Sequence, residues 1–380
     1  WQRIGVGESD YMNRGVLEIA NVTLGFQKIF VINMPSRTDR RDATSLAAAS
    51  SNLKLEFVEG VGGDSIPEAA FPPEGSRDSI KQSAGIKGSW RSHMNALHAI
   101  VHQNLTSALI FEDDVDWDIR FRQQLEPFAR ASRLLTEGFD LSLHSPEAIP
   151  NTETPEVGTR FESSKTPMSP VIHSLPLKSI SGSNGHSSSP YGDPSSWDVL
   201  WLGHCGVEFP RPPQATKPSL ENIVLTNPND NTVPAPQYLR AHPFGPLDAL
   251  STSHPPHTRV YHLASGGAVC TVAYAVSQRG ARRLLHEFGV RKWSRIWDVE
   301  LGDWCAGSGK ELETGTKHDE RTSADIRTSS SRGGESNIGG LGGGFARNVE
   351  TKYIRKSVRM NLEALMRGGG EEEVVDQWPD

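Results

Sequence analysis

Ser107-Ala-Leu-Ile-Phe-Glu-Asp-Asp114 is the stretch from which the fold is read. Ala108 to Phe111 is a short apolar run of the kind that forms a buried central strand. Three carboxylates, Glu112, Asp113 and Asp114, emerge at its C-terminal end, with Asp116 and Asp118 just beyond. Ligands of open α/β sheets bind at that edge. Neighbouring like charges raise one another's pKa unless a cation neutralises them. Oxygen donors suit Mn²⁺ or Mg²⁺, which commonly bridge one or two carboxylates to substrate phosphates. The same run also reads as a solvated acidic turn with helix-capping duty.

Upstream, Lys28-Ile-Phe-Val-Ile-Asn33 reads as a second buried strand, followed by a polar turn and a helix over residues 40–49. A further strand over residues 54–58 ends in the glycine turn Gly60 to Gly63. Strand–helix–strand is the unit of a parallel sheet, so the expected class is α/β, a Rossmann-type, mostly parallel sheet flanked by helices. Spacing predicts helices over residues 89–103 and 120–135, and a strand at Trp197-Asp-Val-Leu-Trp-Leu202. A strand is expected over residues 269–275, and Ser277 is a good N-cap for a helix over 278–288.

The rest of the chain is poor in pattern. With Gly 36 and Pro 25 in 380 residues, and an apolar share of 36%, an ordinary core is diluted by irregular insertions. Residues 145–196 and 210–257 read as long disordered insertions within a domain spanning 27–305, after a tail over 1–26. Residues 306–350 read as a low-complexity linker, 351–367 as an amphipathic C-terminal helix and 368–380 as an acidic tail. A net charge of -7 argues against a nucleic-acid partner, which calls for a basic face. Cys205, Cys270 and Cys305 are too few for a disulfide scaffold or a thiolate zinc site; buried thiols are the expectation, with one bridge as the alternative. No run of 18 apolar residues is present, so membrane association would need an anchor outside the given chain. The sequons at Asn21 and Asn104 are compatible with secretory exposure.

Three further stretches carry chemistry. Arg37, Asp39, Arg40 and Arg41 follow the first strand, where arginines at a helix start can hold a diphosphate; exposed charges around a helix-start Asp are the plainer reading. In residues 88–97, His93 and Leu97 share a helix face, so His93 is either a hydrogen-bonded core residue or a functional base. Trp297-Asp-Val-Glu-Leu-Gly-Asp-Trp-Cys305 offers Asp298, Glu300 and Asp303 among tryptophans, which suits a general base with a raised pKa or a plain helix surface. Two decoys carry nothing. Gly339-Gly-Leu-Gly-Gly-Gly344 lacks the Lys-Ser/Thr of a phosphate loop, and His254, His257 and His262 lack metal-site spacing.

Taken together, four stretches resemble glycosyltransferase family 25, in that family's order and with the look of its fungal members. They are Ile29 to Arg41, Gly88 to Leu97, Ala108 to Val115, and Cys270 to Leu285; the Trp197 strand, Asp298 and the closing segment from Thr351 add support. The resemblance implies a GT-A-like fold, a UDP-sugar donor (often UDP-galactose), Mn²⁺ or Mg²⁺, inversion at the anomeric carbon, and a glycan or glycoprotein acceptor. It carries Glu112 and Asp114 onto the family's metal motif, with Asp113 beside them on the diphosphate side. It carries Asn33, Arg37, Asp39 and Arg40 onto the nucleotide-side segment, and Ser92 and His93 onto a Ser-His pair. Asp298 falls on an aspartate suited to be the base, with Asp303 or Glu300 next if the register differs. A secretory location, the Golgi lumen, goes with the family. After Cys305 the chain departs from it, because residues 306–350 are low-complexity where a further strand segment is expected. Two other readings stand beside this one: a non-catalytic nucleotide-sugar-binding relative, and a metal-dependent phosphohydrolase.

Overall fold

The computed structural model describes residues 18–74, 81–149, 172–181, 189–204, 218–220, 222–239, 254–264, 270–307, 323–326 and 354–380. Among these, ten strands form one sheet. The first half alternates strand and helix: β1 Lys28–Asn33, α1 Thr38–Ser50, β2 Leu55–Glu59, α2 Ala84–His102, β3 Ser107–Glu112 and α3 Phe121–Glu137. The strands β4 Glu147–Ile149, β5 Ile172–Pro176, β6 Val199–Gly203, β7 Ile223–Asn227, β8 Arg259–Leu263 and β9 Ala273–Ser277 follow. Helix α4, Gln278–Leu284, runs on into a π-helical turn over Leu285–Arg291, and α5 Trp297–Cys305, β10 Ser323–Ile326 and α6 Leu362–Arg367 complete the chain.

The strand order is β2-β1-β3-β9-β6-β10-β8-β7-β5-β4. The α/β class is as expected. The sheet is parallel across β2, β1 and β3 and mixed beyond, because β9 pairs antiparallel with both β3 and β6. Alternation along the strands gives each face its own core. Ile29, Val31, Leu109 and Phe111 point to the side covered by α1 and α3. Phe30, Ala108 and Ile110 point to the other, where Trp90 and Leu97 of α2, Leu284 of α4 and Trp297 and Leu301 of α5 pack. On that face Trp90 and Trp293 stack with centroids 4.6 Å apart. Ser277 caps α4 as expected, accepting from the Gly280 amide.

Four expectations are corrected. Strands β4, β5 and β7 lie in stretches read as irregular, and Val224 and Leu225 are buried in them; their short runs are masked by Pro- and Ser-rich flanks. The strand β10 falls inside the presumed linker and pairs with β6 and β8. The closing helix is limited to Leu362–Arg367; residues before it form bends and a turn, with one isolated bridge between Ser357 and Asp118. Its apolar spacing is explained by docking of Ile354 and Val358 into the body, both nearly inaccessible. Finally, Cys270 is disulfide-bonded whereas Cys305 is a buried thiol, which is the bridge alternative rather than three thiols. The remainder of 306–350, most of 145–171 and the tail before residue 18 lie outside the described residues.

Candidate active site

The C-terminal ends of β1, β2 and β3 open into a cleft of about 470 Å³. Met34, Arg37 and Arg40 enter it after β1, Gly60 to Gly63 after β2, Glu112 to Asp114 after β3, and Gly85, Gly88, Ser92 and His93 from α2. Close backbone approach makes its floor. A Cβ on Gly63 would sit 1.8 Å from the Ala84 carbonyl oxygen, and one on Gly88 would sit 2.4 Å from that of Val61. No side chain larger than hydrogen fits at either position. Ser92 fastens the same contact, its Oγ donating to the Gly88 carbonyl at 2.7 Å and accepting from the Val61 amide at 2.9 Å. It is an anchor of the cleft wall.

The three carboxylates occupy different environments. Asp113 is buried and fully engaged: Asn33 Nδ2 donates to one oxygen at 2.8 Å and Arg40 Nη1 to the other at 2.7 Å, while Thr44 Oγ1 donates to its carbonyl at 2.9 Å. Arg40 Nη1 also lies 3.3 Å from Asp114 Oδ2. One guanidinium therefore ties the two aspartates together at the head of α1, and removing one partner of so enclosed a pair costs about 3 kcal/mol. Glu112 turns the other way. Thr271 Oγ1 donates to its Oε1 at 2.8 Å, and His93 Nε2 stands 3.6 Å from the same atom. His93 Nδ1 lies 2.8 Å from the Tyr274 hydroxyl, and burial raises the Tyr274 pKa, so that the phenol stays protonated. When the phenol donates to Nδ1, the Nε2 hydrogen faces Glu112.

Arg37 donates to both oxygens of Asp39, at 2.9 and 2.7 Å, at the exposed cleft mouth. That hydrogen-bonded pairing lowers the Asp39 pKa to about 2. Arg37 is thus committed to its neighbour, while Arg40 reaches the acidic edge.

The three candidate bases on α5 diverge, as spacing along one short helix dictates. Asp298 Oδ2 accepts from the Cys270 amide at 2.7 Å, and its Oδ1 accepts from the Val299 amide at 2.8 Å. Cys270 directly precedes Thr271, the residue that grips Glu112, so Asp298 is tied to the strip bordering the cluster. Glu300 is buried, accepts from the amide and hydroxyl of Ser294 at 3.1 Å, and has its pKa raised by burial. Asp303 is half-exposed and pairs with Arg295 at 2.7 Å. Of the three, Asp298 alone is bonded to that strip. Next to it, Trp297 stacks on His93 with centroids 5.6 Å apart.

Among the described residues no group of three or more His, Cys, Asp or Glu side chains stands close enough to hold an ion by itself. The all-oxygen edge of Glu112 and Asp114, facing a cleft, fits a hard cation that completes its coordination with phosphate oxygens, and does not fit a closed protein cage. Sequence reading missed Thr271 and Tyr274, whose partners lie 159 and 181 residues away in the chain, a separation no local pattern signals.

Residues 26–163 match the model of Glycosyltransferase family 25 (LPS biosynthesis protein). Procollagen galactosyltransferase 2 of Mus musculus is 27% identical over 111 residues, and procollagen galactosyltransferase 1 of Danio rerio is 28% identical over 116. A Homo sapiens protein named inactive glycosyltransferase 25 family member 3 is 28% identical over 115 residues. Each similarity covers 27% of this chain, and only 18% to 19% of the relative's own length.

Proposed function

From the match of residues 26–163 to glycosyltransferase family 25, we propose that this chain is a member of that family and moves a sugar, galactose in the first instance, from a UDP-sugar to a hydroxyl of a glycan or glycoprotein, with inversion. The observation that carries this reading is the cleft itself: Glu112, Asp113, Asp114 and Arg40 converge on a cavity of about 470 Å³ at the C-terminal edge of three parallel strands. A cavity of that size admits a nucleotide sugar in part, with the remainder in the open mouth.

Each residue has a task. Arg40, held by Asp113, presents its guanidinium beside the acidic edge, where it attracts the donor diphosphate. The close contacts at Gly63 and Gly88 fix the wall against which the donor lies. Thr271 and His93 orient Glu112, and Asp114 faces the cleft with it; these two would hold Mn²⁺ or Mg²⁺. Such an ion, when bound, acts as a Lewis acid that neutralises charge on the leaving diphosphate. Asp298 accepts the proton of the acceptor hydroxyl as that oxygen bonds to the anomeric carbon. The bond from that carbon to the UDP oxygen breaks in the same displacement, and the transition state has oxocarbenium character. The Cys270 disulfide supports an oxidising compartment, consistent with residence in the secretory pathway, in the Golgi lumen on our reading. Among the described residues no helix is long and apolar enough to cross a membrane.

The test is incubation with UDP-galactose, UDP-glucose and Mn²⁺, following UDP release and sugar transfer. Asp114→Ala is expected to lower transfer by about 100-fold or more, the scale of losing a charge-stabilising group. Normal transfer with normal Mn²⁺ dependence in that variant sinks the assignment. A second reading follows from the 28% identity over 115 residues to the human relative named inactive: a nucleotide-sugar binder without turnover. Binding of UDP-sugar with no release of UDP supports that reading. Phosphate release without transfer points to a phosphohydrolase.

A further inference from the structure

The chain just beyond the acidic edge is held by a segment that lies almost 200 residues outside the family match, which ends at residue 163. Asp116, only 2% exposed, accepts from the Ser357 hydroxyl, from the Trp117 amide at 2.8 Å and from the Arg359 amide at 3.2 Å. Around it the backbones interlock. Ile119 donates to the Lys356 carbonyl at 2.9 Å, Val358 to that of Trp117 at 2.9 Å, and the Lys356 amide to Asp118 Oδ2 at 3.0 Å. Arg359 Nη2 reaches the Val115 carbonyl at 3.3 Å. Ser357 is fully buried, so its hydroxyl has no water to exchange for Asp116.

Resting on the function proposed above, we propose that residues 354–361 are a built-in clamp in which Ser357 and Arg359, acting through Asp116 and Val115, position Glu112 and Asp114 for the donor and its cation. The turn between the two is tight, since the Val115 amide donates back to the Glu112 carbonyl at 3.2 Å. A shift at Asp116 therefore has no slack to absorb it before Asp114. On the opposite side, Trp117 Nε1 donates to Ser51 Oγ at 2.8 Å and stacks on Phe111, with centroids 5.8 Å apart. The loop is thus anchored to the body by α1 and Phe111, and the clamp fixes its remaining freedom. Ser357 and Asp116 touch no substrate on this account; they are positioning residues. The clamp also gives the C-terminal segment, past the departure at Cys305, a part in completing the site.

The experiment compares the full-length chain with Ser357→Ala by amide hydrogen exchange and by steady-state kinetics. Exchange at the Val115, Trp117 and Ile119 amides is expected to rise about five-fold, the ratio that one net hydrogen bond supplies, with the α1 amides unchanged. The donor KM and the Mn²⁺ concentration for half activity should rise by a similar factor while the acceptor KM stays put. A merely structural role would lower the unfolding midpoint and the active fraction without moving the donor KM, and that result overturns the proposal. If Ser357→Ala does not fold, Asp116→Asn, which keeps the shape, is read in the same way. The exchange measurement needs no turnover. Faster exchange in Ser357→Ala, with no transferase activity in the wild-type protein, sinks the transferase reading and leaves the clamp as a loop anchor; unchanged exchange in Ser357→Ala, with an active wild-type enzyme, sinks the clamp.

Discussion

His262 on β8 is completely buried, with Nδ1 2.7 Å from the Leu263 carbonyl, and burial lowers its pKa to about 4. In the unfolded chain an imidazole titrates near 6.5. Between the two values the unfolded state binds the extra proton, so stability is fully present above about pH 6.5 and is lost as pH falls towards 4, by about 3 kcal/mol at most. Urea midpoints at pH 7.5 and 5.0 should therefore diverge, and the divergence should shrink in His262→Gln; an unchanged divergence refutes it. His173 and His254, shifted in the same direction by burial, add to the trend. At this scale the sequence was legible wherever chemistry changes abruptly along the chain. Glu112 to Asp114 stand out because four apolar residues stop against three charges, and Asp113 proves to hold Arg40 as the spacing of charges after β1 and β3 allowed. Glu300 and Asp303 were indistinguishable from Asp298 by composition, because only the turn of α5 separates a carboxylate tied to the Glu112 strip from one facing Ser294 and one facing solvent.

Helices and strands bring these residues together through close contacts that few residue types permit. Helix α2 meets the turn after β2 at Gly88 and Gly63, and a methyl group on Gly88 would press into the Val61 carbonyl. Gly88→Ala should push the start of α2 away and widen the cleft wall that Ser92 fastens. Donor affinity is expected to fall about ten-fold, with a stability loss of about 2 kcal/mol, in the range for overpacking. Calorimetry with UDP and Mn²⁺ checks it, and affinity equal to wild type would show that the wall does not shape the donor pocket. Strands β1 and β3 and helices α1 to α3 were readable because each is a regular run bounded by polar turns. Strands β4, β5 and β7 were not, for they are three to five residues long, and their burial comes from neighbours distant in sequence. The closing segment failed for a related reason: apolar spacing at Ile354 and Val358 suits a docked irregular turn as well as a helix.

Across the whole molecule, the C-terminal tail is part of the body. Arg355, almost inaccessible, is paired with Asp376 at 2.7 Å, and Asn361 Nδ2 and Oδ1 bond the carbonyl and amide of Val375. Trp378 packs against Tyr238 with centroids 5.2 Å apart. Ending the chain after Gly370 would strip Arg355 of Asp376 and of Asp380, which lies 3.3 Å from it, and a stability loss of about 3 kcal/mol is expected, the scale of an orphaned buried charge. Equal urea midpoints for the shortened and complete chains would contradict this.

The antiparallel insertion of β9 between β3 and β6 has a consequence for how the molecule comes into being. Strands β1, β2 and β3 are consecutive in sequence, so a nascent polypeptide can assemble them early, while β3's other neighbour is synthesised more than 150 residues afterwards. Until it arrives, one flank of β3 presents unsatisfied backbone groups, the kind of exposed border on which strands of separate chains associate. Such long-range pairing is slow. The acidic edge is thus half built early, and it acquires its Thr271 side only once synthesis has entered the final third of the chain.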